Sequence, residues 1–288
     1  MKRWLMVAGL AVAAGAALYY SERQNIQGHV GPEAVINKIA GVERQISRIP
    51  AQVVRLTDQE EIQAGDSMAA GYAYRSRGAT EADAALENYV NAIGQQVASR
   101  ARRQLNYRFH YIPDNNFINA FALPGGHIFL GKGLMLLMHS EDELASVLGH
   151  EVEHIDQYHC NERVSLEARL RRIPLSGLIQ LPIEIFQAGY SKEQEMEADR
   201  NGTQLAVLAG YSPQGAIDMF QAFDRLHKRV ERKADSPDQE IAQVALDTVR
   251  GYFRSHPLPE ERIQQIQSLI ASQKWPEKQE RPLKTRPQ

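Results

Sequence analysis

Hydrophobic positions change their spacing several times along the chain. Trp4 to Tyr20 is a run of 17 residues without a charge, preceded by Lys2 and Arg3. That length is at the lower limit for a bilayer span. The basic flank also fits a secretory leader, with Ala14-Gly15-Ala16 as a cleavage candidate. On either reading Lys2 and Arg3 stay inside and the rest of the chain is exported. An uncleaved anchor over residues 1–21 is the reading adopted here. Residues 22–54 are polar with scattered apolar positions and read as a stalk. From Thr57 the spacing turns helical. Thr57 and Glu60 form a capping box. A second helix over about 81–102 places Ala85, Tyr89, Ile93 and Val97 on one face. "YRFHYI" (107–112) alternates Tyr107, Phe109 and Tyr111 against Arg108 and His110, which is a strand. Two short strands flank Pro124-Gly125-Gly126. Ser140 and Glu143 then cap a helix running to about 158.

The apolar stretch 173–190 is interrupted by Pro174, Pro182 and Glu184. It is too broken for a second membrane span and can serve as a lid, a groove wall or core packing. Ser191 opens a helix that stops at Gly210, and Ser212-Pro213 starts a long amphipathic one. Further helices are predicted near 237–253 and at 259–272. The Pro-rich, charged tail 273–288 is expected to be disordered. These elements predict an α+β fold, mostly helical, with one small sheet.

Composition narrows the function. The 43% hydrophobic and 24% charged content is that of an ordinary globular domain, and the formal net charge is −2. Without a cationic excess, no nucleic-acid partner is expected. Cys160 is the only cysteine, so neither an intramolecular disulfide nor a Cys-rich zinc module can form.

The candidate chemistry lies in "HEVEH", residues 150–154. Histidines four apart on a helix project from one face and can bind the same zinc ion. Glu151, beside the first of them, can take a proton from a water at that ion. Leu144, Val147, Leu148, Glu151 and Ile155 share a face, so the motif belongs to a buried helix rather than a wet one. A catalytic zinc needs a third protein ligand. The pattern with a third histidine six residues on fails, because that position holds Cys160. On a continuous helix His159 and Cys160 both point away from the ligand face, so both are set aside. Glu153 and Asp156 read as surface charges. In "SKEQEMEADRNGTQLAVLAG", Glu193 and Glu197 lie with polar residues, whereas Glu195 lies with Asp199, Gly202, Ala206 and Ala209. That narrow face suits close helix packing, and carboxylates leading it would be costly without a cation. Glu195 is therefore the expected third ligand, with Asp199 orienting a ligand histidine.

"HEVEH", "EMEAD" and "NAFALPGGHIFLGKGL", in that order over about residues 55–270, resemble the HtpX and CAAX-prenyl-endopeptidase family of zinc metallopeptidases. The resemblance implies a zincin-type domain with its sheet beside the "HEVEH" helix. It implies one Zn2+ per chain on His150, His154 and Glu195, Glu151 as base, and Asp199 as supporting carboxylate. His256-Pro257 matches a family pair, so His256 would stabilise an oxyanion or gate the site in a latent state. Arg262 matches a family arginine that would pair with a site carboxylate. Asn119, Ala120, Phe121, Ala122 and Leu123 would form a sheet edge on which a substrate strand adds. The expected activity is a metalloendopeptidase acting on unfolded or flexible polypeptides, tied to protein quality control. It would be held at the membrane by the N-terminal segment, facing the periplasm, or secreted there. A tethered binding or assembly factor with structural zinc is the competing reading. An intact Glu151 argues against it, since a structural site needs no base.

Overall fold

The structure, a computed structural model, describes residues 55–73, 80–171, 181, 183–187, 189–234, 259–276 and 278–287. The N-terminal apolar run, the stalk, the helix expected near 237–253 and His256-Pro257 lie outside the described residues. No helix among the described residues is long and apolar enough to cross a membrane.

Local sequence signals set the element boundaries. Helix α1 (Asp58–Ala73) starts at the predicted capping box, with Thr57 N donating to Glu60 Oε2 at 2.9 Å. Helix α2 (Glu81–Ala98) is capped reciprocally by Thr80 and Asp83 and ends earlier than its periodicity suggested. Its buried positions are Leu86, Val90, Ile93 and Val97, whereas Ala85 is exposed. Two adjacent stripes on this helix are apolar, and the sheet chooses between them. Gly94 sits so close to Phe109 that an added Cβ would lie 2.5 Å from its ring.

The sheet has three strands in the order β1-β3-β2. Strand β1 (Arg108–Ile112) runs parallel to β3 (His127–Gly131), with Phe109 opposite Ile128. Strand β2 (Ala120–Leu123) is antiparallel to β3, with Phe121 opposite Phe129. The link from β2 to β3 is the short 3-10 turn Pro124–Gly126. There Gly125 and Gly126 take φ of 77° and 112°, which favour glycine. The hairpin and the alternation in β1 follow the sequence reading. The mostly helical α+β architecture does as well.

A short helix α3 (Lys132–Met135) leads into α4 (Glu141–Asp156), which is capped by Ser140 and Glu143 as expected. The chain then departs from the predicted single helix. Helix α4 closes at Gln157, Tyr158 takes φ 65°, and a new helix α5 (His159–Arg171) begins. Arg103 holds this break. Its guanidinium lies 4.0 Å from the centre of the Tyr158 ring, donates to Ile155 O at 2.7 Å and pairs with fully buried Glu61 at 2.8 Å. Asp156 accepts from the backbone N–H groups of Arg102 and Arg103. Asp156 and Glu153 are therefore buried, not the surface charges expected.

Helix α6 (Glu184–Gln187) packs Ile185 and Phe186 inward and lies against β2. Helix α7 (Lys192–Leu208), capped by Ser191, ends before Gly210, whose φ is 99°. Helices α8 (Gln214–Ala234) and α9 (Pro259–Gln273) pack against each other beside it. The terminal residues 278–287, expected to be disordered, make contacts with the start of α4. Ser140 bridges to Pro282, Glu141 N donates to Arg281 O at 2.7 Å, and Arg281 N donates to Asp142 Oδ2 at 2.9 Å. The tail thus satisfies one N–H group, that of Glu141, which the start of α4 would otherwise leave open. Leu283 is buried there, so this proline-rich stretch has a core contact that its composition does not reveal.

Candidate metal centre

Helices α4 and α7 cross at two glycines. A Cβ on Gly202 would lie 2.6 Å from His150 N, and one on Gly149 would lie 2.6 Å from Gly202 O. The small face of α7 identified in the sequence is therefore the contact that brings Glu195 up to "HEVEH". His150 Nε2 lies 3.1 Å from His154 Nε2 and 3.5 Å from Glu195 Oε2. His154 Nε2 lies 3.6 Å from Glu195 Oε1. All three residues are buried, and one donor atom from each falls within 4.8 Å of the others. Tetrahedral zinc with bonds of about 2.0–2.1 Å places its ligand atoms roughly 3.3–3.4 Å apart. The observed separations bracket that value, and two imidazoles with a carboxylate are a zinc donor set. The residues present fit the ion.

The surroundings hold each ligand in place. His150 Nδ1 donates to Asp199 Oδ1 at 2.9 Å, leaving Nε2 for a metal. Asp199 in turn accepts from Arg262 Nε and Nη2 at 2.6 and 2.5 Å. Arg262 Nη2 is also 3.9 Å from Glu195 Oε2, and its guanidinium lies over Phe220. Burial alone would depress His150, but hydrogen bonds to Asp199 and Glu195, and their charges, raise its pKa to about 10. Burial likewise opposes ionisation of Asp199, yet Arg262 and His150 hold its carboxyl below the usual range. These directions express one fact: the pocket is built around negative carboxylates and stabilises a positive charge among them.

Two residues near His154 were missed or dismissed at the sequence level. His159, placed by the break at Tyr158, lies with its Nδ1 3.0 Å from His154 Nδ1. Burial pushes the pKa of His159 down, partly offset by Glu197 and Glu162. Tyr190 stacks on His154 with ring centres 4.0 Å apart, and its backbone N–H donates to Glu195 Oε1 at 3.3 Å. Its hydroxyl lies 3.1 Å from Cys160 Sγ. Helical phase put His159 on the wrong face because it assumed one uninterrupted helix. A non-glycine left-handed residue such as Tyr158 has no reliable sequence signature. For Tyr190, only its place just before the Ser191 cap was a hint.

Glu151 is buried beside His150 and lines a cleft of about 430 Å³, measured out to its mouth. Leu134, Val147, Met219, Phe220 and Phe223 supply apolar walls. Ser146 Oγ, also lining it, is buried and lacks a hydrogen-bond partner among the described residues. Ala120 of β2 reaches this cleft, whereas the remaining members of 119–123 do not line it. Glu151, His150, His154, Glu195, Asp199, Arg262 and Ala120 thus come together, and His256 lies outside the described residues.

Comparison with known proteins agrees with this geometry. A β-barrel assembly-enhancing protease of Escherichia coli is 29% identical over 229 residues, 71% of this chain and 42% of the relative. The mitochondrial metalloendopeptidase OMA1 of Schizosaccharomyces pombe is 27% identical over 195 residues, 63% of this chain and 52% of that relative. Metalloprotease YcaL of Escherichia coli is 26% identical over 206 residues, covering 66% and 70% of the two chains. The chain spans about two-fifths of the length of the β-barrel assembly-enhancing proteases it matches. Peptidase family M48 matches residues 84–270, more than half of the sequence and the whole of the site just described. The chain belongs to peptidase family M48, whose members are metallopeptidases.

Proposed function

We propose that this protein is a zinc-dependent endopeptidase that cuts unfolded or flexible polypeptides by addition of water to the peptide carbonyl. The observation that carries the reading is the buried donor triangle with Glu151 beside it, lining an apolar cleft. Zinc, when bound, would acidify a water and polarise the scissile carbonyl. Glu151 takes the water proton and returns it to the leaving amine. Asp199, itself held by Arg262, keeps His150 in the tautomer that presents Nε2. His256, on its motif alone, is the proposed donor to the oxyanion.

Substrate placement follows from the sheet. Gly131 N donates to Asn119 O at 2.9 Å, and Ala120 is opposite Leu130. In an antiparallel ladder this turns the N–H and C=O groups of Ala120 and Ala122 away from β3, toward the free edge. Ala122 O is approached by Cys160 Sγ at 3.7 Å, which leaves Ala120, at the cleft, as the leading contact for an added strand. Only an extended, unfolded segment can pair this way. The apolar cleft walls favour a large apolar side chain next to the scissile bond.

The N-terminal apolar run and the names of the relatives support an envelope or membrane-associated setting, periplasmic or facing that space. We group the chain with the HtpX and CAAX endopeptidases through its "HEVEH" and "EMEAD" motifs, in an anchored or exported setting. The test compares wild type with Glu151→Gln, measuring zinc content and cleavage of unfolded casein. The variant is expected to keep its zinc and lose about 10²–10⁴-fold in rate. Wild-type cleavage by zinc-loaded Glu151→Gln would show that the assigned base is wrong.

A further inference from the structure

We infer that His159 and Glu197 are positioning residues for the second ligand histidine, forming a chain from Glu197 through His159 to His154. The inference rests on the reading of His150, His154 and Glu195 as zinc ligands. His150 has Asp199 on its Nδ1, and His154 Nδ1 has a partner of another kind. That partner is His159 Nδ1, at 3.0 Å. His154 can offer Nε2 to a metal only as the tautomer with its proton on Nδ1. That proton must then be donated to His159 Nδ1, which accepts it only if unprotonated there. His159 therefore carries its proton on Nε2, and Glu197 Oε2 lies 3.5 Å from that atom. The His154–His159 hydrogen bond fixes the tautomers of both rings, and a carboxylate lies on the far side of the second. Tyr190, stacked on the His154 ring, blocks rotation of the imidazole out of this line.

The arrangement depends on the helix break. Tyr158 at φ 65° shifts the phase of the chain, so that a residue five positions after His154 returns to it. Arg103, bonded to Ile155 O and lying over Tyr158, fixes that shift from outside the site. The ligand histidines are therefore held from two sides, His150 through α7 and α9 and His154 through α5 and the exposed flank of α7.

The test uses full-length protein and zinc in competition with a chromogenic chelator. Loss of an outer-shell partner typically weakens metal binding about 10–100-fold. His159→Leu, which removes the acceptor, should lose affinity within that range, whereas His159→Gln, whose amide oxygen can accept the same proton, should recover much of it. Glu197→Ala changes a partly exposed side chain and should lose affinity in the same direction but less. Nitrogen-15 NMR of zinc-loaded wild type reads the tautomers directly, with Nδ1 protonated in His154 and bare in His159. Should His159→Leu fail to fold, the Glu197→Ala affinity and the NMR tautomers still decide. The inference is overturned if folded His159→Leu binds zinc as wild type does, or if His159 carries its proton on Nδ1. If wild type itself binds no zinc, the ligand assignment fails instead.

Discussion

Adding one methyl group where α4 and α7 cross should separate stability from metal binding. In Gly202→Ala the new Cβ would lie 2.6 Å from His150 N and 2.7 Å from Gly149 C. Both obstacles are backbone, so a flexible side chain cannot yield. Ordinary Cβ contacts begin at 3.4 Å, so the helices must part by several tenths of an ångström. Such overpacking costs about 1–3 kcal/mol. Alanine's better helix propensity returns about 1 kcal/mol. Net destabilisation of the metal-free protein should therefore be small, about 0–2 kcal/mol. The ligand triangle has no such compensation. Metal–ligand distances tolerate only about ±0.2 Å, and Glu195 lies on the displaced helix two turns before Gly202. Zinc affinity should fall at least tenfold. The assay is chemical unfolding in chelator, paired with zinc competition. Gly71→Ala in α1, where nothing lies within 4 Å of the added Cβ, is the control and should be slightly stabilising. If Gly202→Ala binds zinc like wild type, the crossing does not set the position of Glu195 and the reasoning fails.

Further expectations concern the supports of the site and the far side of the sheet. Arg262→Met strands Asp199, buried with it, and should cost the metal-free protein about 3–5 kcal/mol in urea unfolding. Part of that loss should return in Arg262→Met/Asp199→Leu, and no recovery would argue against the pair as its source. His110 sits against His127 and over Phe129, and burial, with the charges of His127 and Arg108, lowers its pKa to about 4. The unfolded chain then binds more protons between about pH 4 and 6.5, so stability should fall on acidification through that window, by about 1–3 kcal/mol. His110→Phe should flatten this part of a thermal-stability profile, and an unchanged slope would exclude His110. Deleting residues 277–288 removes the two Arg281 backbone bonds to the start of α4 and should cost about 2–3 kcal/mol by thermal unfolding.

Much of the site was legible in the sequence because helical phase is a local property. The spacing of "HEVEH" puts His150 and His154 on one helix face, and the structure brings both to Glu195. Glu195 was separable from Glu193 and Glu197 because its face carries Gly202 and Ala206, which only a close-packed helix needs. The capping boxes at Thr57, Thr80, Ser140 and Ser191 are local as well. Illegible were features requiring two distant segments at once. The burial of Glu153 and Asp156 depends on what surrounds the end of α4, including Arg102 and Arg103. The packing of 278–287 depends on the Glu141 N–H and the Asp142 carboxylate at the start of α4.

The sequence by itself determined most of the elements, the zinc-type donor set and which glutamate would stand with the two histidines, since periodicity and residue chemistry act over a few turns of chain. Tertiary structure decided which stripe of α2 faces the sheet, where α4 stops, and hence that His159 stands behind His154. The physical reason is the left-handed turn at Tyr158. No local propensity selects it. It is held by Arg103, 55 residues earlier in the chain, stacking on the ring and bonding the last turn of the ligand helix.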